Sequence, residues 1–433
     1  MNRRARSFAR VVLSSLLLNA GAARAQEKIT AIRAGKLIDG TGAAPVPSAV
    51  ILVQGKRILA AGAGLTIPQG AEVIDLGNRT VLPGFTDMHT HITSEDPGPR
   101  GLERLSATGA DFTLVGAVNA RNMLLAGFTT VRDLGAYEYA DLALKRAIER
   151  GLFPGPRMFV ATIPISATGG HGDPTNGLSP FVELNIPSGV ANGVEAVRAK
   201  VRELVKYGAD QIKFMATGGT LSRGDKPTAQ QYSEEEMRAI IEEAHRLGVK
   251  VASHAHGNEG IKTAVRAGVD SIEHGIYLDE EACQMMIRHG TYLVPTLWIV
   301  DAFDARYKEW RLPPWAVEKI QTSGFIPTAK RSVDLAIRMG VKIALGTDAG
   351  VGEHALSAKE FTAYVHHGMK PMDAILAGTL NAARLLGRER ELGTIEAGKF
   401  ADIVAVEGNP LENIQVLETV KFVMKEGQVY KRE

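Results

Sequence analysis

The sequence predicts an α/β protein in which a parallel (β/α)₈ (TIM) barrel carries a small β-sandwich domain built from both chain ends. Residues 28–82 contain short alternating apolar and polar runs separated by Gly, Pro and Asn turns, which indicate strands. The C-terminal segments FADIVAVEG and VKFVMKEGQVYK show the same strand-like pattern. They can pair with the N-terminal strands because the termini of a compact chain often meet. Between them a strand, a Gly-rich turn and an amphipathic helix alternate eight times. A doubly wound open sheet is the alternative fold.

The first 25 residues have the pattern of an export signal. A basic stretch, MNRRARSFAR, precedes a short apolar run and an Ala-Arg-Ala motif, so we expect cleavage near Ala25 and Gln26. The apolar run is too short to span a bilayer. We therefore expect a periplasmic or secreted protein with no membrane insertion after cleavage, and an uncleaved disordered tail is the alternative.

Composition excludes several classes of partner and chemistry. The chain has 433 residues, of which 45% are hydrophobic and 23% charged, as in soluble globular proteins. A formal net charge of +2 gives no electrostatic reason to expect a nucleic-acid partner. Cys283 is the only cysteine, which rules out an intrachain disulfide, and its helical surroundings predict a buried apolar role.

The predicted domains follow from these segments: the sandwich over 26–82 plus 391–433, and the barrel over 83–390. Ser233 and Glu236 form a capping box at the start of a helix predicted over 233–248. Further helices are predicted over 260–269 and 332–340. The eight predicted barrel strands are 81–91, 129–135, 157–162, 211–219, 249–257, 270–275, 291–297 and 342–350. The Gly- and Pro-rich loops 92–110 and 163–192 follow the first and third strands, which predicts that they lie on the catalytic face.

Two histidines, His89 and His91, lie at the end of the first barrel strand in GFTDMHTHIT. Side chains alternate along a strand, so both imidazoles point to the same side. Such a pair can form half of a metal site. Two solvated histidines at a polar strand end are the alternative.

The other strand ends favour the metal interpretation. The C-terminal ends of barrel strands face one shared site. Those ends carry Lys213, His254, His274 and Asp348, with His256 two residues beyond His254. Nitrogen- and oxygen-bearing side chains at so many strand ends predict a metal centre.

This set of residues resembles the imidazolonepropionase-like branch of the amidohydrolase superfamily. The motifs that carry the resemblance are LPGFTDMHTH, KFMATGG, SHAHG, SIEHG and GTDAG. That branch includes Xaa-Pro dipeptidases, carboxypeptidases that release C-terminal L-amino acids, and bacterial hydrolases of ochratoxin A. The resemblance covers essentially the whole mature chain. Its motifs are specific for the fold and the metal site, and much less specific for the substrate.

The resemblance implies two divalent metal ions, for which zinc suits the ligand types best, although manganese and cobalt stay open. The implied ligands are His89, His91 and Asp348 for the more buried ion, His254 and His274 for the second, and Lys213 bridging both as a carbamate formed with CO₂. An ammonium group has no lone pair with which to bridge. A single metal beside an uncarboxylated lysine is the alternative. Asp348 is the implied general base, and then acid, for attack by a metal-activated hydroxide.

Candidate substrate contacts lie in the loops that follow the strands. His171, in the long third loop, is placed by the resemblance near a substrate carboxylate, and a solvated loop histidine is the alternative. Arg223 and Tyr232 follow the fourth strand, where a cation or hydroxyl could bind a C-terminal carboxylate; for Arg223 an exposed loop charge is the alternative. His256 faces the predicted metal ligands, and Ser94 is a candidate for the pocket rim.

The resemblance thus implies a hydrolase that releases a C-terminal L-amino acid from dipeptides or N-acyl amino acids, including ochratoxin-type N-acyl phenylalanine. Its partner would be a small-molecule amide, and a homo-oligomer is expected. A cyclic-amide (imidazolone-type) hydrolase or a deaminase is the alternative, the deaminase being disfavoured by Lys213. An alternative from another class is a non-catalytic barrel used for assembly.

Overall fold

The computed structural model describes residues 28–95, 106–310 and 312–433. The predicted signal peptide and part of the first loop, residues 96–105, lie outside these ranges. Among the described residues no helix is both long enough and apolar enough to cross a membrane.

Fifteen strands lie in the described residues, and they form three sheets. The strands are β1 (Ile29–Leu37), β2 (Val46–Gln54), β3 (Arg57–Ala63), β4 (Glu72–Asp75), β5 (Thr80–Pro83), β6 (Phe85–Thr90), β7 (Phe128–Asp133), β8 (Arg157–Val160), β9 (Gln211–Met215), β10 (Lys250–Ala255), β11 (Ser271–His274), β12 (Tyr292–Val294), β13 (Ile403–Val406), β14 (Val420–Lys425) and β15 (Gln428–Arg432).

The largest sheet has eight strands and joins both ends of the described chain. Its order is β15-β14-β13-β5-β1-β2-β3, with β4 also paired to β1. The sequence predicts a sandwich, whereas the structure connects these strands in one continuous sheet, because β1 pairs with β2 on one edge and with β4 and β5 on the other. The sheet has its own apolar core, which includes Ile32, Ile51, Ile403 and Phe422. Burial of these side chains stabilises the contact between the two chain ends.

The remaining strands are parallel and form two sheets, β6-β7-β8 and β12-β11-β10-β9. Single parallel bridges connect these sheets: Ile165 pairs with Phe214, Leu293 with Ile343, and Thr90 with Ala349. The seven strands and the segment 342–350 therefore follow one another in the cyclic order that a barrel requires.

The eighth predicted strand, 342–350, is not a regular strand. The Thr347 backbone N–H is shared between the Asp87 carboxylate at 3.1 Å and the His89 carbonyl at 3.3 Å, so a side chain enters the hydrogen-bonding pattern of this segment. Asp348 and Gly350 have positive φ angles of 55° and 111°, which no β-strand allows. The chain turns here and presents Asp348 at the end of the sheet.

Helices follow most of the parallel strands. They are α1 (Gly109–Leu125), α2 (Ala140–Glu149), α3 (Val194–Tyr207), α4 (Glu234–Arg246), α5 (Asn258–Arg266), α6 (Glu280–His289), α7 (Leu297–Arg306), α8 (Pro314–Thr322), α9 (Phe325–Met339), α10 (Lys359–His366), α11 (Pro371–Ala377) and α12 (Leu380–Leu386). The capping box predicted at Ser233 and Glu236 is confirmed at the start of α4. The segment 163–192 contains no helix and no regular strand, as its composition predicts. Cys283 is buried on α6.

Candidate metal centre

The two histidines at the end of β6 lie beside Asp348. One ligand atom from each of His89, His91 and Asp348 falls within 4.8 Å of the others. The Nε2 atoms of the two histidines lie 3.4 and 3.3 Å from the Asp348 Oδ1 atom. Among the described residues, the buried Nε2 atom of His89 has no hydrogen-bond partner. Since burying a polar atom without a partner is costly, and since imidazole nitrogen and carboxylate oxygen are zinc ligands, these residues fit a metal ion.

Four histidines have one ring nitrogen held by a neighbouring group, which fixes the ring and leaves the other nitrogen available. The contacts are His89 Nδ1 with Glu273 Oε2 at 2.8 Å, His91 Nδ1 with the Gly135 carbonyl at 3.0 Å, His254 Nε2 with the Gly218 carbonyl at 3.2 Å and His274 Nδ1 with Thr296 Oγ1 at 2.9 Å. Metal-binding histidines generally donate their second ring N–H in this way.

Glu273 and Arg132 form a buried ion pair behind His89. A guanidinium nitrogen of Arg132 lies 2.7 Å from Glu273 Oε1, and neither side chain is more than 2% exposed. Burial raises the pKa of Glu273, but Arg132 and His89 outweigh it and lower the value to about 2. The ionised carboxylate therefore accepts the Nδ1 proton of His89. Sequence reasoning missed Glu273, although an acidic residue inside a buried strand is itself a signal.

The other predicted ligands lie close to this centre. Lys213, on β9, is 1% exposed, and burial lowers the pKa of its ammonium to about 8. The ring centroid of His274 lies 4.9 Å from that of His89 and 4.8 Å from that of His254. Burial, together with the neighbouring histidines, holds the pKa of His254 and His274 well below its usual range. Both rings are neutral at pH 7, which is the form that binds a metal.

A cavity opens beside these groups, and the empty space in it amounts to about 620 Å³ when the open solvent at its mouth is included. Its polar end includes His171, His254, His256, His274 and Asp348. Much of the remaining lining forms an apolar wall that includes Ile299, Val300, Phe303, Trp310, Phe325 and Ile326. The cavity can therefore enclose an apolar group while a polar bond lies against the imidazoles.

Two of the predicted substrate residues lie in this cavity. His171 stacks on His254 with ring centroids 4.2 Å apart, and its Nδ1 atom lies 2.7 Å from the Ser222 hydroxyl. His256 lies 5.0 Å from His274, ring to ring, and its buried Nδ1 atom has no hydrogen-bond partner within the described ranges. Both side chains therefore line the cavity.

The structure does not bring the other three into the cavity. Tyr232 is 2% exposed in the hydrophobic core, where its hydroxyl donates to the Ala191 carbonyl at 2.8 Å. Arg223 is exposed and lies over the Trp315 ring. Ser94 is half-buried and its backbone N–H donates to the His91 carbonyl. These residues follow the right strands, but the loop conformation directs them elsewhere.

Sequence reasoning also missed most of the apolar wall. All of its residues except Trp310, which lies between α7 and α8, come from α7 and α9, whose apolar positions are indistinguishable from ordinary core positions. Thr296, which contacts His274, has a φ of 49°, a backbone state that the sequence does not signal. The order of the strands is enough to predict the candidate metal ligands. The cavity, in contrast, is formed by the packing of the connecting helices.

Comparison with known proteins gives consistent matches across the chain. The profile of the Amidohydrolase family matches residues 80–430. An ochratoxinase of Aspergillus niger is 34% identical over 431 residues, covering 94% of this chain and 87% of the relative. An imidazolonepropionase of Symbiobacterium thermophilum is 26% identical, covering 90% and 93%. The crystal structure of a Xaa-Pro dipeptidase with bound methionine in the active site superposes with a TM-score of 0.87 at 40% identity, covering 93% of this chain and all of that one.

Proposed function

This chain belongs to the amidohydrolase family, and on that premise we propose that it is a metal-dependent amide hydrolase that releases a C-terminal L-amino acid from dipeptides or N-acyl amino acids. The observation that carries this proposal is the cluster of His89, His91 and Asp348, of which Asp348 lines the polar end of a largely apolar cavity. The dipeptidase with methionine in its active site and the ochratoxinase are relatives whose names fit such a substrate.

The proposed assignment of the metal ligands is the one that the family resemblance implies, and the available ring nitrogens support it. His89, His91 and Asp348 would hold one ion, His254 and His274 the second, and Lys213 both as its carbamate. Bound metal ions would lower the pKa of a water molecule and polarise the amide carbonyl. We favour zinc because nitrogen and carboxylate ligands suit it.

Lys213 is suited to carboxylation. Because the pKa of Lys213 is about 8, a fraction of the protein molecules carry this side chain as the neutral amine at neutral pH. That amine can attack CO₂, forming an N–C bond and losing a proton, which converts a cation into an anionic oxygen ligand. Two metal ions would repel the positively charged ammonium group, whereas they would attract the negatively charged carbamate.

Asp348 is the proposed proton carrier. Its carboxylate lies within 3.4 Å of both β6 histidines, which outweigh burial and lower its pKa, so it is ionised at neutral pH. It would accept a proton from the attacking water and pass it to the leaving amine. His171 and His256, which line the same end of the cavity, would contact the substrate.

The apolar wall favours a bulky apolar substrate group. Phe303 and Trp310 present aromatic surface to the cavity, and burial of an aromatic side chain from a substrate contributes about 1.5–3 kcal/mol. We therefore favour Xaa-Phe dipeptides and ochratoxin-type N-acyl phenylalanine among the substrates of this class.

The wider organisation is part of the same proposal. The two parallel sheets would form a closed (β/α)₈ barrel over 83–390, and the sheet domain would span 26–82 and 391–433. Residues 1–25 would direct export to the periplasm or the medium, and the mature chain would form a homo-oligomer.

The test combines metal analysis with product analysis on the purified mature protein. Metal content is measured by mass spectrometry, and turnover is followed by release of the free amino acid from Xaa-Pro, Xaa-Arg and Xaa-Phe dipeptides and from ochratoxin A. Before any zinc is added, we expect two metal ions per chain, and we expect one C-terminal amino acid to be released. One metal ion with no linear amide cleaved would refute the proposal and favour a cyclic-amide hydrolase or a deaminase.

The wall is tested separately with Phe303→Ala. We expect a raised KM for Xaa-Phe and a much smaller change for Xaa-Ala, because only the aromatic substrate loses contact area. Phe112→Ala, on α1 and absent from the cavity lining, is the matched control. An equal change in KM for both substrates would contradict the assigned role of the wall.

A further inference from the structure

A second group of metal-type ligands lies outside the candidate metal centre, where α7 meets the end of α10. Asp301 on α7 approaches His366, the last residue of α10, and His367, which follows it. One ligand atom from each residue lies within 4.8 Å of the other two. None of the three residues lines the cavity described above.

The separations within this group suit a small tetrahedral ion. The Asp301 Oδ1 atom lies 3.2 Å from His367 Nε2, and the Asp301 Oδ2 atom lies 3.7 Å from His366 Nδ1. Metal–ligand bonds of 2.0–2.1 Å at tetrahedral angles place neighbouring ligand atoms about 3.4 Å apart. The two separations, one to each oxygen of the Asp301 carboxylate, are both close to that value.

A further contact orients His367 as metal-binding histidines are generally oriented. Its Nδ1 atom lies 2.7 Å from Asp334 Oδ1, on α9, which leaves Nε2 directed at Asp301. A carboxylate that accepts the second ring N–H fixes the tautomer and makes the ligating nitrogen more basic. His367 is only 10% exposed, so this orientation is held by packing rather than by chance on the surface.

The site is also accessible and electrostatically suited to a cation. The side chain of His366 is 75% exposed, which gives an ion a path from solvent. Both histidines lie at the C-terminal end of α10, where the helix dipole favours positive charge. Lys330 lies 3.1 Å from Asp301 and competes for its carboxylate, but its side chain is partly exposed and can move into water.

We propose that Asp301, His366 and His367 bind a divalent transition-metal ion of the zinc type, with Asp334 orienting His367. The ion would connect α7 directly to α10, and through Asp334 to α9. Its binding would stabilise the apolar wall of the cavity, because α7 also carries Ile299, Val300 and Phe303. This site is independent of the proposed function, since none of its ligands belongs to the candidate metal centre.

The experiment compares zinc uptake by untagged wild-type protein, His366→Ala and His289→Ala, each dialysed against micromolar Zn²⁺. His289 is an exposed helix-end histidine on α6 and serves as the matched control. We expect wild type and the control to bind one zinc ion more than His366→Ala. A crystal grown with zinc should give anomalous density between Asp301 and the two histidines.

Two further variants test whether the remaining ligands can still hold the ion when His366 is absent or another contact is changed. Asp301→Asn should lose the same ion, and Asp334→Asn should keep it with affinity reduced about 10- to 100-fold. Circular dichroism of each variant checks that it is folded. Equal zinc content in wild type, His366→Ala and Asp301→Asn would overturn the proposal, whether or not the protein hydrolyses amides.

Discussion

Replacement of Glu273 by Gln would test whether the buried ion pair behind His89 tunes the metal centre. Glu273 is fully buried, accepts the Nδ1 proton of His89 at 2.8 Å and pairs with Arg132 at 2.7 Å. The Gln side chain keeps the volume and one acceptor oxygen but removes the charge. Both the basicity of His89 and the partner of Arg132 are then changed by one substitution.

Two magnitudes follow from these contacts. Loss of a carboxylate that orients a metal-binding histidine typically lowers metal affinity about 10- to 100-fold, or about 1.4–2.8 kcal/mol. Breaking a buried ion pair on one side typically costs about 3–5 kcal/mol of folding stability, because the other charge stays buried. We therefore expect Glu273→Gln to lose both metal affinity and stability.

The two effects need separate assays. Metal affinity is measured by competition with a chelator of known affinity, and stability by urea unfolding of the metal-free protein. Glu242→Gln is the control, because its exposed pair with Arg198 should contribute at most about 1 kcal/mol. Reduced stability with metal affinity within twofold of wild type would refute the tuning role of Glu273. No change in either quantity would refute the whole assignment.

Further predictions concern the same centre and the single thiol. Asp348→Asn should reduce kcat at least about 100-fold while metal stays bound, as expected when a general base is removed; unchanged kcat would contradict its role. Lys213→Ala should lower metal content in elemental analysis, whereas full retention of two ions would contradict the bridge. The pKa of Glu273 is lowered in the folded state, from 4.5 to about 2, so its contribution to stability is present above pH 4.5 and is lost as the pH falls toward 2; unfolding of metal-free wild type and Glu273→Gln should converge over that range. Burial raises the pKa of Cys283 to about 11, so the native protein should not react with a thiol reagent at pH 8 until it is unfolded.

The sequence alone determined the family and the positions of the candidate ligands. His89 and His91 share a side of β6 because side chains alternate along a strand, a purely local rule. Lys213, His254 and His274 each lie at or near the end of a short strand, and strand ends converge in any parallel barrel. The capping box of α4 was equally local, since it needs only two residues three positions apart.

Only the tertiary structure decided which residues meet. Glu273 acts on His89 from 184 positions away, and Arg132 reaches Glu273 from another strand, so no local pattern reports either contact. Tyr232 follows a strand as predicted, but core packing and the Ala191 carbonyl hold it away from the cavity. Sequence periodicity shows which face of an element is apolar. It does not show what that face packs against, and that packing forms both the cavity and the support of the metal centre.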